Sequence, residues 1–224
     1  MAPRQDRSGA PPVEEVVAPS PDRHALSEEN DGRPGAARRA GYHFNAGFFT
    51  DRRVRRILTL AGYDLRLGKP GDGDDVLVWG HSPYAPRGEK AAQNTGASLV
   101  RVEDAFLRSL HPGRTGDAPL GLVIDRSGMH YDATRPSDLE TILARHPLDN
   151  TVLLDRARDV MARMQEGHLT KYAAVDPALE PPDPGYVLVV DQTRDDASIR
   201  LGQANDMSFA EMLTWARQDQ PDAK

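Results

Sequence analysis

The chain has 224 residues, 38% of them hydrophobic, a formal net charge of −6 and no cysteine. That length allows one large domain or two small ones, and the acidic balance gives no reason to expect nucleic acid. The absent thiols exclude a disulfide framework and cysteine chemistry. No apolar run approaches the ~18–20 residues that span a bilayer, and the N-terminus lacks the apolar stretch of a signal peptide.

Residues 1–40 are rich in Pro, Ala, Arg, Glu and Asp and nearly free of large apolar side chains. Such a composition cannot bury enough surface to offset ordering entropy, so it predicts a disordered arm. Order is expected to begin near Gly41-Tyr42-His43-Phe44. Asp51 to Ala61 is predicted helical, because Val54, Ile57, Leu58 and Ala61 recur at i, i+3, i+4 and i+7. A short strand from Tyr63 to Leu67 precedes a Gly- and Asp-rich turn over residues 68–75. Asp72-Gly73-Asp74 within it reads as turn chemistry.

Val76 to Gly80 is a buried strand that runs into His81. Pro86 to Asn94 is a short helix with its proline in the first turn. Ser98 to Val102 is the next strand and runs into Glu103-Asp104. A helix between two short apolar strands is the βαβ signal for a parallel sheet. A loop over 111–119 leads to a strand from Leu120 to Ile124, which Met129 to Tyr131 is expected to pair with across the turn at 125–128. A helix then starts within 132–140, with Pro136 at its first position and an apolar stripe of Leu139, Ile142 and Leu143. Another spans Asn150 to Glu166, where Leu153, Ala157, Val160, Met161 and Met164 keep the helical period and read as core.

Residues 176–185 hold four prolines and read as a linker. Tyr186 to Val190 is a third apolar strand, running into Asp191-Gln192-Thr193 with Asp195-Asp196 next. Ser208-Phe209-Ala210-Glu211 is a capping box. It opens a helix to about Gln218 with Phe209, Met212, Leu213 and Ala216 on one face. In open α/β sheets the ligand sits beyond the carboxyl ends of the strands. The three polar strand ends therefore predict one shared site.

These readings divide the chain into an arm (1–40), an α/β lobe (41–175), a linker (176–185) and the first βα unit of a second lobe (186–224). One βα unit cannot cover both faces of its own sheet, so the sequence reads as a fragment or a truncated reading frame.

Several stretches carry a resemblance. They are Val78-Trp79-Gly80-His81, Arg101 to Ser109 (RVEDAFLRS), Pro119 to Asp125 (PLGLVID), Tyr131 to Glu140 (YDATRPSDLE), Val189-Val190-Asp191-Gln192-Thr193 and Ser198-Ile199. Over roughly Gly41 to the end, the chain resembles the bacterial capsular polysaccharide biosynthesis and export proteins. These are the β-Kdo glycosyltransferases of capsule lipid-linker assembly. The family usually has Glu-Asp-Gly-Phe where this chain has Glu103-Asp104-Ala105-Phe106, and Ala is costly there if the position needs a positive φ.

The resemblance implies a two-lobed, Rossmann-like α/β glycosyltransferase, of which this chain is the N-terminal lobe and the start of the second. It implies transfer of Kdo from CMP-Kdo to a lipid-linked Kdo acceptor on phosphatidylglycerol. No metal or cofactor is expected, because no His-x-x-x-His or acidic cluster sits on one predicted element and that chemistry needs none. It also implies a cytoplasmic location, peripheral at the inner membrane, among the capsule assembly and export machinery. The family's catalytic aspartate maps to Asp196, as nucleophile of a retaining double displacement. The nucleotide-sugar motifs of the second lobe fall beyond Lys224, so the chain alone is expected to be inactive.

The residues themselves leave alternatives open. Retention needs a second carboxyl group to take the acceptor proton. Glu103 is the first candidate and Asp104 the second, the other member of the pair serving substrate binding or an internal contact. Arg108 and Arg135 suit a sugar carboxylate, because guanidinium pairs with carboxylate bidentately, but each suits an internal salt bridge equally well. His81 stands at a strand end, where it suits orienting an acceptor hydroxyl or a plain hydrogen-bonded structural role, and Gln192 is taken as a substrate-binding residue. Asp195-Asp196 also fit a plain loop-capping role, and Asp191 fits a structural one. The competing class is a non-catalytic fragment that at most binds acceptor glycolipid. An Asp-nucleophile phosphatase is excluded, because Asp-x-Asp does not follow the strand.

Overall fold

The computed structural model describes residues 38–174, 176, 178–180 and 182–223. The predicted arm, up to residue 37, and Lys224 lie outside them. Its centre is a five-stranded sheet in the order β2-β1-β3-β4-β5. The strands are β1 (Arg39–His43), β2 (Tyr63–Arg66), β3 (Asp75–Trp79), β4 (Ser98–Asp104) and β5 (Leu122–Asp125). The first four run parallel. β5 runs antiparallel to β4, pairing Arg101 with Asp125 and Glu103 with Val123.

β3 is the central strand, and Asp75, Val76, Leu77 and Val78 are all buried. A strand covered on both faces reads as a continuous apolar run rather than an alternating one. On one face Leu77, Val100 and Val102 pack with Phe48, Val54 and Leu58 from α1 (Gly47–Thr50) and α2 (Arg52–Leu60). On the other, Val76 and Val78 pack with Ala85 and Ala92 of α3 (Ala85–Thr95) and with Ala97 just after it. Asp51 caps α2, its side chain accepting from the N–H groups of Arg53 (2.8 Å) and Val54 (3.0 Å). α3 lies close to the sheet because Gly88 has no Cβ: one added there would sit 2.5 Å from the Val78 Cγ1 atom. Asp74 accepts from the Gly71 N–H at 2.7 Å, which closes the Gly-Asp turn.

Several expectations are corrected. β1 begins at Arg39, inside the stretch whose composition predicts disorder. β5 is antiparallel because only a single 3-10 turn (Gly113–Thr115), and no α-helix, lies between β4 and β5 to carry the chain back. The hairpin with Met129 to Tyr131 does not form. Instead Asp125 accepts from the N–H groups of Ser127 (2.9 Å), Gly128 (2.8 Å) and Asp138 (2.9 Å), folding the chain back on itself. Met129 is fully buried. Helix α4 (Asp138–Arg145) starts after Pro136, with Ser137 as its N-cap and Glu140 closing the capping box.

Helix α5 (Thr151–Glu166) forms as its period predicts, yet none of its residues is buried. Leu153, Val160 and Met161 are exposed, so this stripe is not core among the described residues. Periodicity reports an apolar face and not what covers it. Residues 186–190 form no strand, and Tyr186, Val187, Leu188 and Val190 are exposed. A strand exists only where a neighbour takes its backbone hydrogen bonds, and no described strand pairs with this one. Two helices follow, α6 (Ala197–Leu201) and α7 (Asp206–Asp219). The capping box of α7 is Asn205 with Ser208, upstream of the predicted Ser208 with Glu211.

Candidate functional site

The carboxyl ends of β3 and β4 bring together two of the predicted strand-end groups, His81 and Glu103. The loop from β5 to α4 completes the corner. The Tyr131 hydroxyl donates to Glu103 Oε2 at 3.1 Å, and the Asp104 N–H donates to Glu103 Oε1 at 3.0 Å. His81 Nε2 lies 3.4 Å from Asp132 Oδ2 and stacks edge-on to the Tyr131 ring at 6.1 Å. The His81 Nε2 atom is buried without a hydrogen-bond partner. Arg101 donates to the Gly80 carbonyl at 2.6 Å and to Glu89 at 2.8 Å, which ties β4 to the end of β3 and to α3.

Burial pushes the Glu103 carboxyl above the ordinary glutamate range. The Asp104 N–H and the Tyr131 hydroxyl pull it back by favouring the charged form. Burial, and then the nearby Arg101 charge, hold His81 below the usual histidine value, so its imidazole is neutral at pH 7. Glu103 is thus a shielded carboxyl with a raised pKa at the sheet's carboxyl edge. A group of that kind takes a proton more readily than a free glutamate.

Beside this corner an open groove of about 730 Å³ follows the flank of α3. His81, Glu89, Gln93, Arg101 and Arg135 supply its polar lining, and Ala92, Ala97 and Leu99 are apolar parts of its wall. Small apolar patches between hydrogen-bonding groups suit a polar, partly apolar-faced ligand such as a sugar.

The remaining candidates are placed as follows. Asp104 does not stand free: the Arg108 guanidinium Nε lies 3.2 and 3.3 Å from its two oxygens. Arg108 also donates to Ser109 Oγ at 2.8 Å and to the Asp117 carbonyl. Through Nε and Nη1 Arg108 makes the internal salt bridge that the sequence allowed as readily as a contact to a sugar carboxylate. Lys171-Tyr172 lies along the same loop, the Lys171 carbonyl accepting from the N–H groups of Arg108 (3.0 Å) and Ser109 (3.3 Å). Arg135 is exposed on the groove. Ala105 has no positive φ, so replacing the family's glycine costs no backbone strain there.

Gln192 and Asp196 lie on the exposed loop before α6, and the shared site predicted with the other two strand ends is not assembled around a third strand. Asp196 caps α6, accepting from the Ser198 N–H at 2.9 Å and hydroxyl at 2.7 Å. Gln192 Nε2 reaches the same Ser198 hydroxyl at 3.5 Å. Asp191 accepts from the Gln192 N–H at 2.6 Å, a loop-fixing contact. α6 is joined to the corner: the Ala133 N–H donates to the Leu201 carbonyl at 3.0 Å, and the Arg200 charge acts on His81.

Sequence reasoning assigned no role to Tyr131, Asp132 or Arg101. All three stood inside the quoted stretches, but nothing in their spacing pairs them with Glu103 or His81. Among the described residues no group of three or more His, Asp or Glu side chains is set to hold a metal, and no helix is long and apolar enough to cross a membrane.

Residues 74–174 and 156–224 match the family described as capsule polysaccharide biosynthesis protein. The capsule polysaccharide modification protein LipA of Neisseria meningitidis is 31% identical over 185 residues, which are 79% of this chain and 26% of that protein. The lipopolysaccharide-processing protein LpsZ of Rhizobium meliloti is 35% identical over 144 residues, 60% of this chain and 33% of that protein. The chain therefore spans about a quarter to a third of these relatives. Among solved structures, the β Kdo 2,4 transferase of Thermosulfurimonas dismutans KpsC superposes with a TM-score of 0.72 at 29% identity, covering 83% of this chain and 58% of that one. The β Kdo 2,7 transferase of the same protein gives a TM-score of 0.57 at 27% identity and the same coverage.

Proposed function

The chain belongs to the capsule polysaccharide biosynthesis protein family, and from that membership we propose that it forms the acceptor side of a Kdo transferase. The reaction moves Kdo from CMP-Kdo to a lipid-linked acceptor with retention of configuration. Asp196 attacks the anomeric carbon, the bond to the CMP phosphate breaks, and a covalent glycosyl-enzyme forms. Glu103 then takes the proton of the acceptor hydroxyl, whose oxygen displaces Asp196. His81 and Arg135 hold the acceptor sugar along the groove, and Gln192 steadies the loop that carries the nucleophile. The protein works in the cytoplasm, at the inner membrane.

The observation that carries this reading is Glu103: a shielded carboxyl of raised pKa, at the carboxyl ends of parallel strands, beside a polar groove. The likeness to two solved Kdo transferases supports the choice of sugar. One observation favours the alternative of a non-catalytic acceptor-binding chain: the Asp196 carboxylate is engaged as a helix cap.

The test is transfer from CMP-Kdo to a Kdo-primed lipid, by this chain or by a longer polypeptide that contains it. Glu103→Gln is expected to lose on the order of 10²–10⁴-fold in rate. Full activity in Glu103→Gln with loss in Asp104→Asn would move the base to Asp104. Stability gives the fold control. The folded-state pKa of Glu103 is raised above its unfolded value, so the native state holds this proton more tightly. Stability from this site is present below the unfolded pKa and is lost as pH rises through the folded one. Glu103→Gln carries no such loss, so its melting temperature is expected to match the parent's in acid and to be no lower at neutral pH.

A further inference from the structure

Tyr131 belongs to the loop between β5 and α4, yet its hydroxyl lies 3.1 Å from Glu103 Oε2 on β4. The loop is held firmly enough to keep it there. Met129 is fully buried, and the Asp132 N–H donates to the Met129 carbonyl at 2.8 Å. Asp132 Oδ1 accepts from the Thr134 N–H at 3.0 Å and hydroxyl at 2.6 Å. The phenol ring is fixed edge-on between His81, at 6.1 Å, and His130, at 5.2 Å.

Gly80 makes the meeting possible. It has a φ of +39°, and a Cβ added there would collide with both Glu103 Oε2 and the Tyr131 hydroxyl. The pair fills the space that a side chain at position 80 would occupy. Each Glu103 oxygen then has one fixed donor: the Asp104 N–H on Oε1 and the phenol on Oε2. Every carboxylate oxygen can accept more than one hydrogen bond, so each retains acceptor capacity beyond its fixed donor.

We propose that Tyr131 is the positioning residue for Glu103, fixing the aim of its carboxylate through the 3.1 Å hydrogen bond, and that Gly80 is the vacancy this pair requires. This rests on the reading of Glu103 as the acceptor base. Tyr131 is itself pushed far above the ordinary tyrosine range by burial and by the Glu103 charge, so it stays a phenol and a donor across the working pH range. Its hydroxyl favours the charged form of Glu103, against the burial that opposes it. Removing the hydroxyl therefore leaves the carboxyl less acidic and free to turn.

Tyr131→Phe keeps the ring and loses only the donor, so it separates positioning from packing. The Glu103 carboxyl is followed by ¹³C NMR in the glutamate-labelled 224-residue chain and assigned by its absence in Glu103→Gln. In Tyr131→Phe its titration midpoint is expected to move to higher pH, with the melting temperature little changed. Gly80→Ala, which drives a methyl group between the two, is expected to move it in the same direction. Transfer from CMP-Kdo by Tyr131→Phe is expected to show an acid limb shifted to higher pH and a lowered kcat with KM for acceptor retained. An unmoved or lowered midpoint in Tyr131→Phe overturns the proposal. A raised midpoint together with full transfer by Glu103→Gln supports the positioning geometry and rejects Glu103 as the base, so the two readings fail separately.

Discussion

Asp196→Asn is expected to reduce Kdo transfer on the order of 10⁴-fold or more while leaving the fold intact. Loss of an attacking group that works as part of a unit has effects of that size. The Asn side chain keeps an oxygen that accepts from the Ser198 N–H and hydroxyl, now at 2.9 and 2.7 Å, so the cap of α6 survives. Asn ranks with Asp as an N-cap, and stability is expected to change little. What the variant lacks is the charge and nucleophilicity needed to attack an anomeric carbon. Mass spectrometry of a longer polypeptide that contains this chain, after exposure to CMP-Kdo, is expected to find the covalent sugar on Asp196. An adduct on Asp191, or turnover by Asp196→Asn at the parent rate, would mean that the carboxylate only caps the helix.

The largest effect on stability is expected far from that site, at the amino ends of the parallel strands. Asp75 is 1% exposed at the start of β3. Arg126, just after the antiparallel β5, donates to its two oxygens at 3.1 and 2.6 Å and to the Tyr63 hydroxyl at 2.9 Å. Arg39 at the start of β1 donates to Asp75 from the other side at 2.9 and 3.3 Å. One carboxylate thus ties β1, β2, β3 and β5 together. Arg126→Met leaves that buried charge with only Arg39, whose side chain is 52% exposed. Breaking a buried pair by removing one partner costs about 3–5 kcal/mol. That figure is for a charge left with no partner; Arg39 remains and the Arg126 side chain is itself 31% exposed, so urea unfolding is expected to show a loss toward its lower end, and a smaller one for Arg39→Met. A loss for Arg126→Met no larger than the ~1 kcal/mol of a surface pair would mean that solvent screens Asp75 after all.

Neither Arg39 nor Arg126 announces this role in the sequence. Arg39 stands at the end of a stretch whose composition predicts disorder. The strand it opens, Arg39–His43, has no apolar run to mark it: Gly41 is its centre, and a Cβ there would sit 2.5 Å from Leu77 Cδ1. α2, α3, β3 and β4 were legible because each carries its own period or its own apolar run. The direction of β5 was not, since it depends on an absent crossover helix. The apolar faces of α4 and α5 and the run at 186–190 were legible as apolar, but what each packs against is not a local property. In the candidate site, His81 and Glu103 were legible as polar groups where strands end. Tyr131 was not, because it lies 28 residues from Glu103 and meets it only through a loop folded back by Asp125. Arg108 looked available for a substrate, but the loop at 109–117 closes around it.

The central claim is that this chain carries the acceptor side of Kdo transfer. A direct measurement is an NMR titration of the ¹⁵N-labelled 224-residue chain with a soluble Kdo-terminated acceptor, and separately with CMP-Kdo. The acceptor is expected to perturb, saturably, the amides around His81, Glu103, Tyr131 and Arg135, and Arg135→Ala is expected to weaken the effect. CMP-Kdo is expected to leave those amides unmoved. Saturation with acceptor that leaves this corner unchanged, or a response there to CMP-Kdo alone, would contradict the assignment.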